Sequence, residues 1–182
     1  MGAALVTVPR TSVAVWFLRA LNLILLGVVW FVSLTAYGRL SGRMASWSSV
    51  WTGQPVMVAR SWSFFLYPLA QAAFCAAFLG LASILFLQRL PEEGKVPPPP
   101  PETVRRIRAL RTEVVYLALI FFNLIFIHLQ TTRILLSYRI GPGIKRIYFV
   151  MLIVMIGFIL GPYYRIRLKI VRAERDRPPG PR

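Results

Sequence analysis

Side chains able to do chemistry are scarce here and scattered. One cysteine, one histidine and six acids share 182 residues. Catalysis needs a nucleophile beside a base, paired carboxylates, or a glycine loop that cradles phosphate. None of these sets can be read from the spacing. Cys75 has no second cysteine to pair with and sits among Ala, Phe and Leu, where a thiol behaves as a small apolar group. His128 has no acid and no second histidine near it in sequence, so neither metal nor general-base work is indicated. The chain is expected not to be an enzyme and to hold no metal; no cofactor is predicted, a pigment is left open, and bound lipid is expected.

A different set of polar residues is better ordered. Tyr116, Asn123 and Gln130 recur every seven residues, with Glu113 one turn earlier. On a helix this spacing makes one polar stripe in apolar surroundings. In lipid such groups turn inward and hydrogen-bond other helices, at roughly 0.6–2 kcal/mol each. A packing stripe is the expected role; a substrate or proton path is the alternative. Arg19 and Asn22, three residues apart, should share a face of an earlier helix. An arginine so close to a helix end is expected to snorkel toward the headgroups.

The elements that position these residues are four apolar stretches, near Val13–Ala36, Trp62–Leu87, Val114–Gln130 and Ile147–Tyr164. Each approaches or exceeds the ~20 residues that cross ~30 Å of hydrocarbon as a helix. The expected fold is all-α: an integral membrane protein with four transmembrane helices, arranged as two hairpins joined by a Pro-rich cytoplasmic linker. Residues 1–90 form the first hairpin, 91–101 the linker, 102–172 the second hairpin and 173–182 a disordered basic tail. The run Pro97 to Pro101 favours a stiff spacer of roughly 15 Å.

Charge supports a membrane setting. The net charge is +16, from 22 Lys and Arg against 6 acids, in a chain that is 57% hydrophobic. Anionic lipid is the expected partner for such a surface, ahead of nucleic acid. Lys and Arg are roughly twice as frequent in the N-terminus, second connector and tail as in the other two connectors. Both termini are therefore expected in the cytoplasm of a bacterial inner membrane. Arg105, Arg106, Arg108 and Arg111 lead into the third stretch, and Arg165, Arg167, Lys169 and Arg172 follow the fourth. These eight are the candidate contacts for anionic lipid or an acidic partner.

Small residues mark candidate packing faces. Ala72, Ala76 and Gly80 fall at intervals of four, and Gly157 and Gly161 form a GxxxG just before Pro162. The first connector, Tyr37–Ser61, carries Trp47, Trp51, Gly53 and Pro55, with Trp62 directly after it. Tryptophan favours the membrane interface, so this loop should lie on the outer surface as an anchor or a docking surface.

That connector also carries a resemblance. Leu40, Gly53, Pro55, Arg60 and Pro68 fit a motif of a bacterial membrane domain of unknown function, found at the start of SdpI-type immunity proteins. The first hairpin, over Leu21–Leu87, resembles that domain. The histidine of the motif is replaced by Trp47 or Ser48, and its acid by Val56. The resemblance thus implies the shape of the hairpin without any role of a His/Asp pair. Together these features lead to an expected non-catalytic accessory subunit of a larger membrane assembly. An SdpI-like immunity or sensing protein and a small transporter are the alternatives.

Overall fold

The computed structural model describes residues 13–87, 101–140 and 146–175. The Pro-rich linker up to Pro100 and the end of the tail lie outside them. The chain is mostly helical. Among the described residues three helices are long and apolar enough to cross a membrane: Val13–Arg39, Trp62–Ala82 and Pro101–Ser137. Helix is the form that satisfies every backbone N–H and C=O within one segment where water is absent.

Helix α1 (Val13–Arg39) buries Val15, Asn22, Val29 and Ala36, a strict seven-residue stripe, together with Ser33. The rest of its surface is apolar and open, including Phe17, Leu23, Ile24, Phe31 and Leu34. A narrow buried seam on an apolar rod is the pattern of a helix packed on one side and wetted by lipid on the others.

The first connector departs from the all-α expectation. It folds as β1 (Arg43–Ala45), a single turn α2 (Ser49–Thr52) and β2 (Met57–Ala59). The strands pair antiparallel, with Met44 opposite Val58. Gly53 ends α2 in the left-handed region at φ 74°, and its N–H returns to the Ser49 carbonyl. A left-handed residue at this position is the usual reason for a glycine after a helical turn.

A tight turn at Trp62–Phe65 leads into α3 (Leu66–Ala82), and a wider turn follows over Ser83–Leu87. Pro68 falls in the first turn of α3, where its missing N–H has no intrahelical partner to lose. Phe74 and Phe78 of α3 mesh with Phe122 of α4 (Pro101–Ser137), at 4.7 and 5.8 Å between ring centres. Helix α4 runs well beyond its apolar part at both ends and packs most extensively against α1. Helix α5 (Arg146–Arg175) contains the fourth apolar stretch and continues through Pro162 into the basic segment as one rod. Beyond the end of α3, Phe86 meets Tyr164 of α5 at 5.8 Å.

The apolar core concentrates under the connector. One cluster joins Ala36, Leu40, Met44, Phe64, Phe65 and Ile134; a second joins Ala45, Val50, Tyr67, Leu129 and Leu136. Both draw on α1 or the connector and on the last turns of α4.

Candidate functional site

Two polar constellations stand out, one at the centre of the bundle and one under the connector. At the centre, Asn123 of α4 donates from Nδ2 to Asn22 Oδ1 at 2.8 Å. Its own Oδ1 accepts from Gln71 Nε2 at 2.8 Å and from the Cys75 thiol at 3.2 Å. Asn22 Nδ2 donates in turn to the Leu18 and Tyr116 carbonyls at 2.8 and 3.1 Å. One asparagine thus ties α1, α3 and α4 together. Asn22, Gln71 and Asn123 are all buried, and Gln71 Oε1 has no partner among the described residues. Along α4, Arg111 and Arg133 are separated by about 33 Å, close to the ~30 Å of a hydrocarbon core, and Asn123 falls near the middle.

The second constellation fastens the connector to α4. Arg133 is fully buried. Its Nε donates to the Ala45 carbonyl at 3.0 Å and its Nη1 to the Ser63 carbonyl at 2.5 Å. The guanidinium also lies 5.6 Å from the Phe64 ring. Ala45 N–H donates to Ser137 Oγ at 2.9 Å, so both backbone groups of this residue are satisfied by α4 side chains. Gln130 Nε2 reaches the Phe64 carbonyl at 3.3 Å, and Tyr67 donates to the Trp47 carbonyl at 3.0 Å. An open strand edge has unpaired donors and acceptors; here α4 supplies their partners. The connector is a folded cap seated on the helix ends.

Of Leu40, Gly53, Pro55, Arg60 and Pro68, three hold this cap in shape. Leu40 is buried in the core beneath it, and Gly53 supplies the left-handed turn. Arg60 stacks 4.0 Å over the Tyr37 ring and donates to the Leu40 carbonyl. Pro55 is exposed and Pro68 buried. Of the tryptophans, Trp51 is half-buried on the apolar cluster, whereas Trp47 and Trp62 are exposed, Trp62 by 81%. Trp16, near the other end of α1, is 71% exposed. Outward indoles of this kind are enriched at the membrane–water interfaces of membrane proteins.

The other expected site residues are placed as follows. Tyr116 is half-buried under the Arg19 guanidinium, 5.2 Å from its ring centre. Gly80, Gly157 and Gly161 face open space among the described residues: a methyl group added at any of them would meet none of these within 4 Å. Ala76 is exposed and Ala72 half-buried. Arg105 and Arg108 are exposed, while Arg106 is paired with Glu102 at 2.8 Å. Arg111 turns inward instead, donating to the Phe86 carbonyl at 2.6 Å. Arg165, Arg167 and Lys169 are exposed, and Arg167 comes within 3.7 Å of the buried Glu113, which also accepts from Tyr163. The side chain of Arg172 lies outside the described residues.

The sequence reading missed three residues. Arg133 counts there as a connector charge, yet it is enclosed by the cap; burial is possible because two carbonyls and a ring face the cation. Ser137 continues the Tyr116–Asn123–Gln130 stripe by one more heptad, a signal that was available. Gln71 has no periodic partner on α3 and left no such signal. Among the described residues no group of three or more His, Cys, Asp or Glu gathers as a metal site. No family model, curated protein or solved structure matches the chain.

Proposed function

We propose that this chain is a non-catalytic accessory subunit of a larger bacterial membrane assembly. The observation that carries the reading is the outward position of the glycine face of α5. Gly157 and Gly161 are suited to close helix approach, and no described residue of this chain approaches them. A helix from another subunit would find its backbone path open there. The exposed basic end of α5, with Arg165 and Lys169, adds a contact for anionic lipid or an acidic neighbour.

The proposed arrangement counts the apolar part of α5 as a fourth span. Both termini lie in the cytoplasm of the inner membrane, and the cap lies outside. The polar centre is a structural joint in this reading. Its asparagine and glutamine amides bond one another and offer no continuous path for a solute, which weighs against transport.

The test is to solubilise native membranes in mild detergent, resolve the chain on a native gel and identify its companions by mass spectrometry. A discrete large complex with fixed stoichiometry is expected, and Gly157→Leu or Gly161→Leu should release the chain from it. Migration alone, as monomer or homodimer, would overturn the reading.

One observation favours a second reading, an SdpI-like immunity or sensing role. Three of the five resembling residues, Leu40, Gly53 and Arg60, build the folded cap, which is a shaped surface rather than a slack loop. In that case expression of the chain alone should protect cells from a toxin, and Trp47→Ala should abolish protection.

A further inference from the structure

A groove of about 380 Å³ runs between α1, α3 and α4. Arg19 and Tyr116 line it, with Leu23, Leu26 and Leu79 along the apolar walls. Arg19, Leu23 and Ala76 are exposed along its rim, so the groove opens on the side that faces lipid. Volumes of 300–1,000 Å³ are typical of sites that enclose a small ligand.

The chemistry of the lining selects the occupant. Arg19 has no carboxylate partner among the described residues; its guanidinium rests beside the Tyr116 ring. A cation next to apolar walls calls for an anion. A small free anion would leave the leucine walls unused, because it has no apolar surface to bury. Asn22 and Asn123 reach the floor, but they bond each other and the neighbouring carbonyls, so the floor demands no polar group. The matching ligand has one anionic head and a long apolar chain.

We propose that this groove is a binding site for an anionic glycerophospholipid, with its phosphate on Arg19 and one acyl chain lying along Leu23, Leu26 and Leu79. The site is distinct from the basic ends of α4 and α5. It does not depend on the assembly reading, since a chain that migrates alone would still carry the groove.

The full chain, purified in detergent, is mixed with phosphatidylglycerol or phosphatidylcholine, and retained lipid is read by native mass spectrometry. The wild type should hold one phosphatidylglycerol in preference to phosphatidylcholine. Arg19→Gln should cut that preference about five-fold, as expected for one basic residue near the surface. Ala76→Phe, which fills the groove from its lipid side, should lower retention of both lipids. Arg43→Gln, exposed on strand β1 of the cap and outside the groove lining, serves as the control and should retain lipid as the wild type does. Unchanged preference in Arg19→Gln, unchanged retention in Ala76→Phe, or displacement of the lipid by millimolar inorganic phosphate would each overturn the site. Arg19 and Ala76 are both exposed, so their variants should fold; a thermal melt of each confirms that lost retention is not lost structure.

Discussion

Asn123 donates to Asn22 across the α1–α4 seam at 2.8 Å, while its carbonyl oxygen accepts from both Gln71 and Cys75. A single amide therefore ties three helices together.

Asn123→Leu should lower the unfolding midpoint in detergent by the equivalent of about 2 kcal/mol, because it strands the buried Gln71 and Asn22 amides together. Replacing both asparagines with leucine should cost less than the two single changes added, since the partner groups leave together. Strict additivity in that cycle would show the two side chains to be energetically independent.

Arg133 tests the seating of the cap. Lysine cannot send two donors in fixed directions toward the Ala45 and Ser63 carbonyls. Arg133→Lys should therefore loosen the cap and open the segment near Thr52–Val56 to protease, with a loss of about 1–3 kcal/mol for each buried carbonyl left without a donor. Limited proteolysis of the purified chain reads this directly. A cap as resistant as the wild type's would mean that packing alone retains it.

Gly53 is held at φ 74°. Gly53→Val should destabilise the chain by roughly 1–2 kcal/mol, because a side chain in the left-handed region crowds its own carbonyl. Gly53→Asn should cost clearly less, since asparagine tolerates that region better. Thermal melts of the two variants give the order, and equal losses would argue against backbone strain as the cause.

The proposed orientation can be checked by labelling. In a Cys75→Ala background, Ser48→Cys should react with a membrane-impermeant thiol reagent added to intact spheroplasts. Arg108→Cys should react only after permeabilisation. The reverse pattern places the cap in the cytoplasm.

The apolar stretches could be read from the sequence because hydropathy accumulates over about 20 residues and survives local irregularity. Trp62 to Leu87 is helical over the expected range, although its first and last turns are not α-helical. The polar stripe on α4 was legible for the same reason: a period of seven repeats often enough to stand above chance. The cap was not. Strands of three residues are too short to show alternation, and their stability comes from Arg133 and Ser137, which lie some ninety residues away. Arg133 itself read as a loop charge because an arginine is rarely buried without an acid. Only the fold reveals the two carbonyls and the ring that make its burial tolerable.

Helix α4 begins at Pro101, about 15 Å of helical rise before Arg111. With Arg111 at the hydrocarbon edge, Arg108 falls among the headgroups, while Arg105 and Arg106 stand about 8–9 Å out, near one Debye length at physiological ionic strength. The helix thus sorts its own charges by reach. In the proposed arrangement Arg108 lies within reach of the lipid charges at any ordinary salt concentration. Of the outer pair, Arg106 is already engaged by Glu102, while at one Debye length counterions cut the pull of the lipid on Arg105 to about a third.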